Sequence, residues 1–486
     1  MWKLTAAFGL AFLGMVVLAA CGGSGSFGVN SNPGGGSGMS QVSFSISDTP
    51  PAGVTILRFQ IQLTTASLQP AAMGQPPVSM LPAPVEVELI HLQTEPELLA
   101  NLNVAAGTYD GLTATFANAQ ATIFNESANN LTVGNQTCDT GQVCTLNLAL
   151  NQMNVTVQAP TAPFPITLTS NSPLALLLHF DVNASVQGDL SVSPTISLKE
   201  LPAPPLLPIE GFHLVGTVTS VTSPTFMLQT GFGNFSFTIT TNNNTQYNFG
   251  ASCPADNFGC IVNGQVLKVF VNLMSGGTLV ASQVELFEPP GFPAIEGVVI
   301  SSNPAQNTFQ IVLTDFQNGP AQVAAWFGLR LTIQPTASAT FAFDTDGITV
   351  PAGLSFASVQ DIVIGQAVEV HPTFLPPVAA EGPAQFFTLP VDSVLLEASE
   401  ITGTVTGVNP GATPPNFILG GLPPLLAKAG ITQITVEAVS GTDFENVSGV
   451  GGINTGDTVS VGGLVFNTSG QPTDVAERVF DRSASD

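Results

Sequence analysis

The sequence predicts an all-β protein: an N-terminal antiparallel β-sandwich followed by three tandem small OB-like β-barrels. Short runs alternate apolar with polar residues, the pattern of strands that bury one face. Gly (48) and Pro (38) are abundant, 44% of residues are hydrophobic and only 8% are charged, so the helix-favouring Lys, Glu and Arg are scarce. A set of glycine and strand signatures recurs three times after residue 210. At 486 residues the chain exceeds one compact core and suggests three or four domains.

The first segment is an address. Met1-Trp2-Lys3 is a minimal positive start, and Leu4 to Leu18 is an apolar run of about fifteen residues, too short for a comfortable transmembrane span. Leu18-Ala19-Ala20-Cys21-Gly22 closes it. This stretch resembles the bacterial lipoprotein signal. The resemblance implies that residues 1–20 are a signal peptide cut before Cys21, whose thiol carries fatty-acyl chains such as palmitate. At roughly 0.8 kcal/mol per buried methylene, two or three such chains hold a protein to a bilayer effectively permanently. Gly22, where an Asp would retain the protein in the inner membrane, points to the outer membrane of a cell that has one. Residues 21–40 are then the lipidated Cys and a Gly/Ser-rich tether with a reach of about 24 Å. No strand precedes these glycines and no Lys-Ser/Thr follows, so they are not a phosphate-binding loop.

Residues 41–199 form the expected sandwich. Val42-Ser43-Phe44-Ser45-Ile46 alternates, and Leu57, Phe59, Ile61 and Leu63 share one face. Val85, Val87 and Leu89 alternate with Glu86 and Glu88; Leu146, Leu148 and Leu150 follow, then Leu174, Leu176, Leu178, Phe180 and Val182. Period two with one polar face describes antiparallel strands over a shared core. The run Leu174–Phe180 is far too short to span a membrane. A short helical turn is expected around Glu95–Leu102.

From Gln41 to about Thr122 the chain resembles a bacterial family catalogued as domain of unknown function 4382. The resemblance lies in the strand ending in Ser47-Asp48-Thr49-Pro50, in Thr55–Leu63, in Val85-Glu86-Val87-Glu88-Leu89, in Leu98-Leu99 and in Val104-Ala105-Ala106-Gly107-Thr108-Tyr109. The family usually has Ala-Pro after the Asp, where this chain has Thr49-Pro50. The family supplies no catalytic residues.

Pro-rich linkers follow at residues 200–210 and 289–296. They bound repeats at 211–288, 297–399 and 400–486. Each repeat opens alike, with Gly216-Thr217-Val218, Gly297-Val298-Val299 and Gly403-Thr404-Val405. Each later has a glycine before another strand: Gly264-Gln265-Val266, Gly365-Gln366-Ala367-Val368 and Gly456-Asp457-Thr458-Val459. Five or so short strands in each repeat fit a small OB-like barrel. The repeats are similar to another uncharacterised bacterial family of small β-barrels.

The remaining chemistry is sparse. With Cys21 as the anchor, Cys138/Cys144 and Cys253/Cys260 are two close pairs that read as local disulfides in an exported chain. His91, His179, His213 and His371 fall in separate strands or strand edges. His91 and Glu95 make a weak case for a metal pair. Asp344-Thr345-Asp346-Gly347 resembles the start of a calcium loop but lacks the later ligands; a turn between Phe341-Ala342-Phe343 and Ile348-Thr349-Val350 is the better reading. Asp48 reads as a turn initiator, and Tyr109 as a corner whose phenol bonds backbone. No catalytic motif, metal site or cofactor is assigned. The formal charge of −25, from 33 acids against 8 bases, excludes nucleic acid and anionic headgroups as partners. The expected protein is a non-enzymatic, lipid-anchored envelope protein of structural, adhesive or binding role. Its partners are the bilayer through Cys21 and an envelope protein or polysaccharide. A glycan- or peptide-binding accessory module is the alternative, and an enzyme with an unfamiliar site is third.

Overall fold

A computed structural model of the whole chain describes residues 14–20, 54–90, 97–102, 104–169, 174–201, 213–230, 235–274, 278–288, 294–317, 323–343, 345, 348–375, 387–468 and 471–483. The architecture is almost entirely β, with two closed five-stranded barrels.

The N-terminal domain is a sandwich. One sheet is built on the long antiparallel pair Val54–Pro70 and Gly107–Asn125, with shorter strands along both edges. The second sheet runs in the order Ile196–Leu201, Leu174–Phe180, Gly14–Ala20, Glu97–Leu102. The alternating residues meet between them: Phe180 lies 6.1 Å from Phe59 and 5.3 Å from Phe116, ring centre to ring centre. Leu57 is the exception on its strand. It points to the opposite side, into a cluster with Phe124, Ile300, Val312 and Leu425.

Two elements differ from expectation. Glu97–Leu102 is a strand and not a helical turn, because its backbone pairs antiparallel with Gly14–Ala20. Gly14–Ala20 is the end of the apolar run read as a leader. In this uncleaved chain it forms a central strand, parallel to Leu174–Phe180 on its other side.

Residues 294–397 close as a barrel in the order Ala294–Asn303, Thr308–Gln317, Arg330–Phe343, Phe387–Glu397, Ala367–Pro372. Residues 399–481 close the same way, as Ser399–Asn409, Asn416–Gly420, Ile434–Glu445, Thr473–Asp481, Thr458–Phe466. In both, the third and fourth strands of that order pair in parallel. The segment His213–Glu288 forms a six-stranded sheet, in which Phe235–Thr240 pairs in parallel with Leu279–Glu288 through Ile239 and Thr240.

The glycine signatures have two separate causes. A Cβ on Gly297 would stand 2.5 Å from Val312 O, and one on Gly403 2.7 Å from Gly420 O; on Gly216 it would meet Gln229 O closer still. Only glycine lets the first two strands approach there. The second glycines have φ of +87° (Gly264), +92° (Gly365) and +102° (Gly456), which L side chains rarely adopt. Each donates its N–H to the valine of the opening signature, Val218, Val299 or Val405, at 2.8 Å. Each valine donates back to the residue after the glycine, Gln265, Gln366 or Asp457, at 2.8 Å. The side chains of these three residues then accept from the backbone three positions earlier, at 2.8, 2.7 and 2.6 Å. This clasp ties the strand that follows it to the opening strand.

Candidate functional site

The residues singled out in the sequence do not converge. Cys21, Asp48, His91, Glu95, Asp344, Asp346 and Gly347 lie outside the described residues. Cys138–Cys144 and Cys253–Cys260 are disulfides with Cα separations of 5.6 and 5.8 Å. Tyr109 donates its phenol to Ala105 O at 2.9 Å, the backbone contact expected of it. Ile348 N donates to Thr345 O at 2.7 Å, closing a turn where one was expected, although residues 348–350 are not a strand. His179 and His371 lie within strands of different domains. Among the described residues no group of three or more His, Cys, Asp or Glu could hold a metal ion.

The geometry instead concentrates charge at domain contacts. Arg58 is 1% exposed, with its guanidinium 4.4 Å from the centre of the Phe327 ring of the 294–397 barrel. Burial lowers its pKa, while Glu88, Asp315 and Glu86 pull it back up. A guanidinium remains charged under such opposing influences. Glu88 is itself fixed by the backbone N–H groups of Phe59 and Ile90, at 2.8 and 3.3 Å. Arg330 donates to Gln142 at 2.8 Å, and Lys428 pairs with Glu126 at 2.9 Å while standing 4.4 Å over the Phe124 ring. Leu425 N donates to Thr55 Oγ1 at 3.0 Å. Gly328, at φ +71°, lies against the Thr122 and Thr145 hydroxyls, where any side chain would collide. The sandwich is thus seated on both closed barrels. The barrels join one another through Gln366 Nε2 to Val465 O at 2.6 Å and through Phe343 against Phe466, with ring centres 5.4 Å apart.

Two acid groups lie within the barrels. His371 Nε2 and Glu369 Oε1 are 2.8 Å apart on one strand, with Ser393 opposite His371 in the register. The Ser393 hydroxyl meets Thr340 Oγ1 at 3.3 Å. In the C-terminal barrel Asp474 is fully buried, and neither carboxylate oxygen has a hydrogen-bond partner. Burial, and then the charge of Glu400, push its pKa well above the ordinary carboxylate value. Glu400 is raised by burial too, against the opposing pull of Arg482, Arg478 and a hydrogen bond from Ser460. Burial out of reach of solvent thus favours the protonated form of Asp474. Sequence reasoning missed Arg58, Lys428 and Asp474. The one usable signal was a charged residue at a position whose strand neighbours are apolar, as for Arg58 between Leu57 and Phe59.

Residues 39–199 match the family described as domain of unknown function DUF4382. No curated protein matches the chain. A solved structure titled "drosophila Unr CSD456" aligns at 10% identity over 54% of this chain and 93% of that one, with a TM-score of 0.10, so it bears on neither fold nor function.

Proposed function

We propose that this is a non-enzymatic, lipid-anchored cell-envelope protein whose sandwich and three consecutive small barrels form one body that presents binding surface. One observation carries the reading. The few basic side chains that reach across domains, Arg58, Arg330 and Lys428, hold the sandwich onto the barrels. Such seams make a multidomain chain a body of fixed shape, as a scaffold requires. The anchor rests on the Leu18–Gly22 stretch, and Gly22 supports the outer membrane. The clasp common to residues 218–265, 299–366 and 405–457 supports counting three repeats.

The test is Cys21→Ser in cells producing the full chain. The expected result is loss of fatty-acid labelling and movement of the protein from the membrane to the soluble fraction. Retained label with membrane fractionation overturns the anchor. Crosslinking in intact cells addresses the role: capture of an envelope protein supports a scaffold, and capture of polysaccharide alone supports the glycan-binding alternative.

A further inference from the structure

The loop that leads into each clasp marks the face of a barrel that its neighbour covers. Counted from the clasp glycines Gly264, Gly365 and Gly456, the residues two places earlier are Val262, Val363 and Asn454. In the 294–397 barrel the 399–481 barrel covers this loop. Asn467 Nδ2 donates to Gln360 O at 2.8 Å, Gln366 Nε2 donates to Val465 O at 2.6 Å, and Leu426 lies against Gly365. Val363 is only 7% exposed. In the 399–481 barrel, the last in the sequence, Asn454 is polar and exposed, which suits an uncovered face. The 213–288 segment combines an apolar residue with an open face: Val262 is 47% exposed. Gln265 keeps the local bond, to Cys260 O at 3.2 Å, that matches Gln366 to Asp361 O at 3.4 Å. Among the described residues it has no equivalent of the bond to Val465.

The covering side also has an unused counterpart. Nine residues after the clasp glycine, Val465 corresponds to Phe374. Both follow a register shift in the strand after the clasp, at Gly462/Gly463 and at His371/Pro372. Val465 is 1% exposed, whereas Phe374 is 60% exposed. An apolar partner would take that ring out of water, a favourable change. Val262 and Phe374 are both open, so they do not cover one another within the chain.

We propose that the Val262 loop of one copy receives the Phe374 end of the 294–397 barrel of a second copy. This rests on the reading of the chain as one body. Leu177 of the sandwich belongs to the core of the 213–288 segment, and Arg58 over Phe327 holds the sandwich to the 294–397 barrel. The two faces thus have fixed places in one body and meet only between bodies. The occupant is a second copy because, within the chain, the equivalent loop is already covered by a barrel of the same strand order. The charges agree. Residues 257–265 and 372–375 contain no Asp, Glu, Lys or Arg, so this contact presses no carboxylates together in a chain of formal charge −25. Salt screens the repulsion between the rest of the two surfaces. The two faces differ, so the contact is head-to-tail. It continues into rings or filaments and does not stop at a two-fold dimer.

Photo-crosslinking tests this in membranes from cells producing the full chain with Phe374 replaced by p-benzoylphenylalanine. Adducts of twice the chain mass and above are expected, with cross-linked peptides from residues 257–265. Val262→Asp in the same chain should abolish them without moving the thermal midpoint of the purified protein. Asn454→Asp, at the equivalent exposed position of the 399–481 barrel, should leave them. The proposal is overturned by the absence of adducts above the mass of one chain, by adducts to other segments only, or by adducts that survive Val262→Asp. An adduct to 257–265 within a single chain also overturns it, and shows in addition that the one-body reading fails. Absence of adducts leaves that reading standing.

Discussion

Arg58 and Phe327 join the sandwich to a barrel through a buried guanidinium lying 4.4 Å over an aromatic face. The contact requires a planar cation, because the ring meets a flat face and Arg58 also donates from Nη2 to Gln60. Arg58→Ala should destabilise the chain by about 3 kcal/mol, since it leaves Glu88 and Asp315 without their buried counter-charge. Arg58→Lys should recover less than half of that. Urea unfolding followed by the fluorescence of Trp326, the buried neighbour of Phe327, measures both.

The opening glycines make a sharper claim, because the obstacle at Gly403 is the backbone oxygen of Gly420, at 2.7 Å from an added Cβ. Backbone within a closed barrel cannot turn aside as a side-chain tip can. Gly403→Ala should cost at least about 3 kcal/mol. Gly411→Ala, where an added Cβ meets nothing within 4 Å, should stay within about 0.5 kcal/mol. Thermal unfolding of the two variants side by side provides the check.

Asp474 gives a pH dependence whose sign follows from its raised pKa. Below the unfolded value of about 3.9 both states hold the proton, and the group contributes nothing. As pH rises above that value the unfolded chain releases its proton while the folded chain keeps it. Stability then falls, by up to about 1.4 kcal/mol per pH unit, until the pH reaches the folded pKa. Asp474→Asn removes this slope. The variant should match the parent near pH 4 and be the more stable at pH 7, as read by urea midpoints across that range.

Most of the fold was legible because its determinants are local. The alternation at Phe59–Leu63 and Leu174–Phe180, and the paired glycines of each repeat, lie within a few residues of one another, whereas the opposite orientation of Leu57 was not legible. Glu97–Leu102 was not legible, since what makes it a strand is a partner far away in sequence. The turn after Phe343 was legible because its signal was local, whereas the local pattern did not show that Ile348 is drawn into the barrel core and leads no strand. The Arg58–Phe327 and Lys428–Glu126 contacts were invisible because each half is an ordinary residue until the domains meet.

The scarcity of outward-facing bases governs how copies of this protein meet one another: among the described residues only Lys199 and Lys428 are exposed. Arg58, Lys268 and Arg482 are buried, and Arg330, Lys428 and Arg478 are engaged in polar contacts. A body with a formal charge of −25 therefore turns chiefly carboxylates toward water. Neighbouring copies repel as their surfaces come within a Debye length, about 10 Å in 0.1 M salt. Crowded on one surface, such molecules keep a lateral spacing set by ionic strength, and divalent cations let them draw together.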